Sequence, residues 1–317
     1  MNIRRATHDD YEAVRAFTSD IWADRGGDYI PDVYHDWLED PDETGKKTFL
    51  AEVDGEAAGI VQAVMLSSDE AWFHGMRVAS QYRRQGVSTR LNEATFEWAR
   101  EQGATVGRVM IFSWNTPSLG MARASGFEPI TSFRFAHPDP DSDAAIPASR
   151  TVSSDPTAAW RYWTHSDARA HLRGLGLAPE ESWSMRELTP ADFEQFADET
   201  AVFAVGGDDR WSGVAYRTRT LEREPDDDAN CSDGIDEASA DTETIAEYGV
   251  GAWDDLESAR ALFGAIARDA ARLEAETIRI VIPETARYVT DAAYAGAKLA
   301  DEPDFALGLD LTGDVCV

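Results

Sequence analysis

Trp72-Phe73-His74-Gly75-Met76-Arg77-Val78, followed closely by Gln81-Tyr82-Arg83-Arg84-Gln85-Gly86-Val87-Ser88, is the stretch that decides the fold. From Ala71 to Asn92 the chain carries four arginines (Arg77, Arg83, Arg84, Arg90) and no acidic residue, in a molecule whose formal charge is −30. A cationic island on so acidic a surface is what a bound polyanion requires. The stretch reads as an apolar strand, a tight turn, and a helix with Val87, Leu91, Ala94 and Trp98 at helical spacing. A strand that turns sharply into a helix aims several unbonded backbone N–H groups at one point, and the positive end of the helix dipole adds to them. Gly86 suits the turn, where a Cβ would obstruct an approaching phosphate oxygen. These residues predict a phosphate cradle.

The same residues carry a family likeness. Val78, Arg83-x-x-Gly86-x-Ser88 and Leu91 resemble the acetyl-CoA pyrophosphate loop of the GNAT superfamily of N-acetyltransferases, whose pattern is Gln/Arg-x-x-Gly-x-Gly/Ala; Ser88 departs at the last position. Further along, Val106 to Phe112 reads as a strand, followed by Asn115 and then Gly126-Phe127. That order resembles the next GNAT segment, where an Asn after the strand contacts the pantetheine arm. The resemblance covers roughly Met1 to His137. It implies acetyl-CoA as co-substrate, bound by Met76, Val78, Arg83, Arg84, Gln85, Gly86, Val87, Ser88, Thr89 and Asn115.

At 317 residues the chain has room for two domains, each with a real core. No apolar run approaches a membrane span, and Met1-Asn2-Ile3-Arg4-Arg5 leads into a strand pattern rather than a signal peptide. Cys231 and Cys316 stand far apart, suggesting neither a disulfide framework nor a metal knuckle. A soluble, cytoplasmic protein without a metal is expected. Three lysines (Lys46, Lys47, Lys298) face acidic residues spread along the whole chain. Such a spread suits a salt-rich, halophilic cytoplasm, where dense carboxylates keep a protein hydrated, so it says little about the substrate. Nucleic acid is a poor partner for the arginine island, because the rest of the surface repels a long polyanion.

The pattern occurs twice. Ile3 to Glu12 matches Met185 to Glu194, each a short strand, a Thr cap with Asp three residues later, and a helix with an apolar face. Phe49-Leu50-Ala51 before Gly59 matches Val202-Phe203-Ala204 before Gly213, each a hairpin. Leu262 to Leu273 repeats the long helix, Ile278 to Ile282 the next strand, and Gly296-Ala297 the Gly-Phe. The expected fold is α+β, two tandem GNAT-like domains, each a mixed, mostly antiparallel twisted sheet flanked by helices. Residues 1–137 form the catalytic unit, 138–156 a linker rich in Pro, Ser and Asp, and 157–317 a bridging helix with a degenerate unit. In the second copy Gly249 to Glu257 replaces the arginine turn, and Asp254, Asp255 and Glu257 at a helix start repel phosphate. The acidic segment from Glu222 to Glu243 reads as a long solvated hairpin loop.

The resemblance implies direct attack by an amine on the thioester, which needs a base, oxyanion donors and a proton for the thiolate. Backbone N–H groups near Met76 to Val78 are the expected oxyanion donors. Strand parity places His74 on the face of Met76 and Val78, and an imidazole titrates near working pH, which makes His74 a base candidate. A hydrogen-bonded structural histidine is the competing reading. Glu70 and Glu52 are alternative bases. Many relatives place a thiolate-protonating Tyr where this chain has Ala122, leaving Ser113, Ser118 or a water as substitutes. Trp22, Tyr34 and Trp37 are candidates for the acceptor pocket, with core packing the commoner use of such residues. The function expected is N-acetyl transfer from acetyl-CoA to a small-molecule or peptide amine. The alternative is a non-catalytic acyl-CoA sensor, which the missing Tyr would suit. The oligomeric state is left open.

Overall fold

Thr7 and Thr189 open their helical segments with the same device. Each side chain and backbone N–H bonds the carboxylate three residues on, Asp10 or Asp192, in a capping box. Each of those aspartates also holds an arginine six residues earlier, Arg4–Asp10 at 2.6 Å and Arg186–Asp192 at 2.8 Å. A shared ion pair on a shared cap repeats the local geometry of the matched sequences.

The structure is a computed structural model and describes residues 1–19, 21–22, 27–39, 45–207, 210–223 and 243–313. The first half runs β1 (Asn2–Arg5), α1 (Tyr11–Thr18), α2 (Ile30–Trp37), β2 (Lys46–Val53), β3 (Glu56–Met65), β4 (Glu70–Val78), α3 (Val87–Glu101), β5 (Val106–Phe112), α4 (Thr116–Ala124) and β6 (Glu128–His137). There follow β7 (Thr151–Ser153), α5 (Pro156–His165), α6 (Asp167–Leu172), β8 (Leu175–Leu177), β9 (Met185–Glu187), α7 (Pro190–Glu199), β10 (Ala201–Gly206) and β11 (Trp211–Arg223). The chain ends with β12 (Glu243–Trp253), α8 (Leu256–Arg272), β13 (Thr277–Pro283), α9 (Ala286–Tyr294), β14 (Lys298–Leu299) and β15 (Asp304–Asp310). The architecture is α+β, a mixed and mostly antiparallel sheet flanked by helices.

The strand order is β1-β2-β3-β4-β5-β15-β6-β13-β12-β11-β10-β7, with β14 beside β6. The halves therefore exchange strands. β15, the last strand in sequence, lies antiparallel between β5 and β6, while β6 pairs onward to β13. The apolar alternation of β15 serves both cores. Leu307 and Leu309 pack under α3 with Phe73, Phe96 and Phe127, and Ala306 faces the opposite core with Trp72 and Phe133.

Three expectations change. Helix α5 does not bridge the halves; Tyr162 and Trp163 bury it against β10, β11 and α7, within the second half. The 138–156 segment is not only linker, since β7 pairs with β10 as an edge strand. Gly249 to Trp253 belongs to β12, so only Asp254 and Asp255 form the turn before α8. Residues 224–242 of the acidic segment, Cys231 and Cys316 lie outside the described residues.

The exchange makes a prediction. Residues 1–137 expressed alone lack the strand between β5 and β6 and should show no cooperative thermal unfolding. A sharp melt from that fragment would mean that β5 and β6 can close without β15.

Candidate active site

Strands β4 and β5 run parallel but pair only from Glu70 to Trp72, opposite Val106 to Arg108. Beyond that point β4 continues to Val78 held by β3 alone, and β5 continues to Phe112 held by β15 alone. The facing edges of residues 73–78 and 109–112 thus have no strand partner among the described residues. Backbone polar groups left this way bond an extended ligand or water. The opening is a V whose closed end is locked by Glu70.

A bulge shapes one arm of the V. Across the β3–β4 pair Ile60 faces Arg77 and Gln62 faces His74, so β4 holds one residue more than its partner. Gly75 supplies it, at φ +67°, where a Cβ would overlap the Trp37 ring. Opposed residues share a face, so His74 and Arg77 point with Ile60 toward α1 and α2. Met76 and Val78 pack on the α3 side instead. The parity argument for His74 therefore fails: the bulge turns it away from Met76 and Val78.

The His74 ring has other work. Gln62 donates its amide to the Trp37 carbonyl (2.9 Å) and to Thr48 Oγ1 (2.9 Å), which turns its Oε1 toward His74 Nε2 at 2.8 Å. That oxygen can only accept, so Nε2 of the neutral ring carries the proton. Burial, then the charges of Arg77 and Lys46, push the imidazole down to about 3. His74 does not titrate near working pH and is a structural residue, 4.9 Å from the Trp37 ring.

Glu70 is likewise corrected. It is buried against Arg108 and accepts the Glu187 backbone N–H (3.2 Å), joining the halves at the closed end of the V. Burial raises its carboxyl, and Arg108 opposes the rise. Glu52 bonds Arg4 (2.9 Å) at the β1–β2 edge. Tyr34 and Trp37 are core residues, with the Tyr34 hydroxyl on the Thr7 carbonyl. Trp22 is the aromatic that reaches the V. Its ring lies 4.1 Å from the Arg77 guanidinium on the β4 side, 6.0 Å from Phe112 and 5.6 Å from Trp114 on the β5 side. Asp28 grips Arg77 with both oxygens (2.6 and 3.0 Å), a role the sequence reading missed for both residues. Trp183 of the second half joins the same aromatic wall, 6.0 Å from Phe112.

At the open end of the V, Gly86 caps α3 in the left-handed region (φ +80°), and Arg84 takes φ +60°. The first helical bond is Arg90 N–H to Gly86. The N–H groups of Arg84 to Thr89, Gln85, Val87 and Ser88 among them, find no protein acceptor among the described residues, and no acid sits in the first turn. Arg83 donates to the Val78 carbonyl (3.2 Å), whereas the exposed Arg84 side chain has no hydrogen-bond or ion-pair partner among the described residues. This is a fit for phosphate. The start of α8 is the opposite case. Asp255 accepts Ser258 N–H (2.8 Å) and Arg150 (2.9 Å), so the chain's own carboxylate fills the place. Arg287 and the Tyr288 hydroxyl also donate to the Trp253 carbonyl where β12 ends.

Beyond β5, Asn115 caps α4 by accepting Ser118 N–H (3.3 Å). Ser113 is bonded to Glu302 (3.0 Å), Ser118 lies half-buried on α4, and Ala122 is buried beneath it.

Two predictions follow from the bulge. Gly75→Ala should destabilise the fold by roughly 2–5 kcal/mol, combining a left-handed alanine with overpacking on Trp37; an unchanged urea midpoint would refute this. His74 titrates at 6.5 when unexposed to such burial and about 3 here. The unfolded state therefore binds the extra proton between those values, and the ring's stabilisation fades as pH falls from 6.5 toward 3. The stability gap between wild type and His74→Gln should shrink from pH 7 to pH 4. A constant gap would mean the ring is not held neutral.

Residues 11–127 match the Acetyltransferase (GNAT) family. The Histidine N-acetyltransferase of Oreochromis niloticus is 32% identical over 84 residues, which span 26% of this chain and 23% of that protein. The Probable N-acetyltransferase 16 of Homo sapiens is 32% identical over 107 residues, spanning 33% of this chain and 28% of that protein. The chain thus matches about a quarter of the length of these relatives. The crystal structure of a GCN5-related N-acetyltransferase from Sphaerobacter thermophilus superposes with a TM-score of 0.59 over 98% of this chain and 95% of that one. At 14% identity that likeness shows the fold alone, and it extends over both halves. The segment that holds the V, the bulge and the bare helix start is the segment that matches the Acetyltransferase (GNAT) family, over residues 11–127.

Proposed function

We propose that this chain moves an acetyl group from acetyl-CoA to a primary amine by direct attack. Residues 1–137 act as the catalytic GNAT unit, and residues 157–317 are a degenerate tandem copy that no longer takes the cofactor. The contrast between two helix starts carries the proposal: that of α3 is bare and basic, that of α8 is filled by Asp255 and Arg150. Bound acetyl-CoA supplies an activated acetyl group and a thiolate leaving group. The N–H groups of Arg84 to Thr89 and the Arg84 guanidinium would hold its pyrophosphate. The unpaired edges of β4 and β5 offer donors and acceptors to the pantetheine amides. A backbone N–H of the unpaired β4 edge near Met76 would polarise the carbonyl. Helices α3 and α4 cover one face of the sheet, so the amine would enter from the other, past Trp22 and Arg77.

The similar histidine enzyme makes free histidine the first amine to try, followed by peptides with a free α-amine. Calorimetry should give one acetyl-CoA per chain, and an amine from this panel should release CoA. Binding without release from any amine would favour the sensor reading, to which Ala122 in place of the usual acid lends support. Arg84→Ala should weaken acetyl-CoA binding by about ten-fold or more, and acetyl-pantetheine much less, if the contact is to phosphate. Equal losses for both ligands would mean that Arg84 only shapes the loop.

A further inference from the structure

Beside the V, on the neighbouring strand β15, lies one ionisable group that none of the roles above uses. Asp304, the first residue of β15, is 7% exposed and has no hydrogen bond or ion pair to its carboxylate among the described residues. A buried carboxylate without a partner is costly to the fold, and such costs concentrate at functional sites. Its position points the same way. Asp304 lies directly opposite Phe112, the last residue of β5, and opposite Phe133 on β6. Opposed residues share a face with Cβ atoms about 5 Å apart. The carboxylate therefore faces the side on which Phe112 meets Trp22, Trp114 and Trp183, where an acceptor would enter. It stands one strand from the β5 edge that lines the V, on the face from which an acceptor would enter.

We propose that Asp304, carried by the second half, is the group that takes the acceptor's proton. This rests on the acetyltransferase reading. A neutral amine attacks the thioester carbonyl, the N–C bond forms, and the C–S bond breaks with CoA leaving as the thiolate. One amine proton passes to the Asp304 carboxylate. Burial raises this carboxyl to about 7, which suits a base working near neutrality. The charged groups around it are Arg134 on β6, tied to Glu284 (2.7 and 2.9 Å), and Glu302, held by Ser113. Arg134 opposes the rise and Glu302 adds to it.

Asp304→Asn tests the assignment by stability and by kinetics. A carboxyl raised from 3.8 to about 7 binds its proton in the fold and not in the unfolded chain between those values, so wild-type stability falls as pH rises through that window. Asn carries no such liability. The variant should gain melting temperature over wild type at pH 8 relative to pH 4; a pH-independent difference overturns the proposal. With acetyl-CoA and the fastest amine among histidine, lysine, spermidine and an alanine-led peptide, the variant should lose about 100-fold or more in kcat/KM. Its acetyl-CoA Kd should be unchanged and the acidic limb of its rate profile flattened. Wild-type turnover with an unaltered profile in the variant overturns the role of Asp304 alone. A wild type that neither binds acetyl-CoA nor releases CoA overturns the acetyltransferase reading and this inference with it.

Discussion

One extra residue in β4 organises everything around the V. Gly75 takes up the bulge at φ +67°, in a space that the Trp37 ring leaves to a residue without a side chain. A bulge bends its strand and increases its twist, and β4 parts from β5 just before it, after Trp72. The bulge also reverses which side chains face which helices. Met76 and Val78 go to the core under α3, while Arg77 swings to the other face, where Asp28 clamps it under Trp22. A straight strand would have kept its pairing with β5, and the cleft would have been sheet.

The elements that rest on local rules were legible in the sequence. Gly86 and the periodic Val87, Leu91 and Trp98 gave the turn and the helix, and all three side chains are buried as that spacing requires. The Thr–Asp pairs gave both caps, because a capping box is complete within four residues. His74 was misjudged because parity assumes a regular strand. The Gly beside it was the available signal, since an isolated Gly inside a strand pattern marks a bulge. The exchange of β15 and β6 was not legible, because pairing between Asp304 and Phe112 depends on residues 192 positions apart with no shared local pattern. The acidic residue that opens β15, Asp304 ahead of the apolar Phe305, Ala306 and Leu307, is the sequence signal that sets this strand's start apart from plain packing.

The two halves show how little chemistry separates a bare helix start from a filled one. Helices α3 and α8 are both amphipathic, and both follow a strand that begins in parallel pairing with its neighbour and outruns it. At α8 an aspartate cap supplies the anion from within, and Arg150 neutralises it. A cap is worth about 1 kcal/mol to a helix, so filling the position with Asp255 stabilises the second half. At α3 that stabilisation is forgone, and Gly86 and Arg84 hold left-handed backbone in its place.

The strand exchange also fixes an order of events during synthesis. Domains generally fold as they leave the ribosome, the earlier before the later. Here β5 and β6 emerge long before β15, which completes the sheet between them only when residues 304–310 arrive. The unit made first is thus the one finished last. A chain that stops short of residue 304 lacks the strand between β5 and β6, so the β5 arm of the cleft stays unsupported until that distant segment has been made.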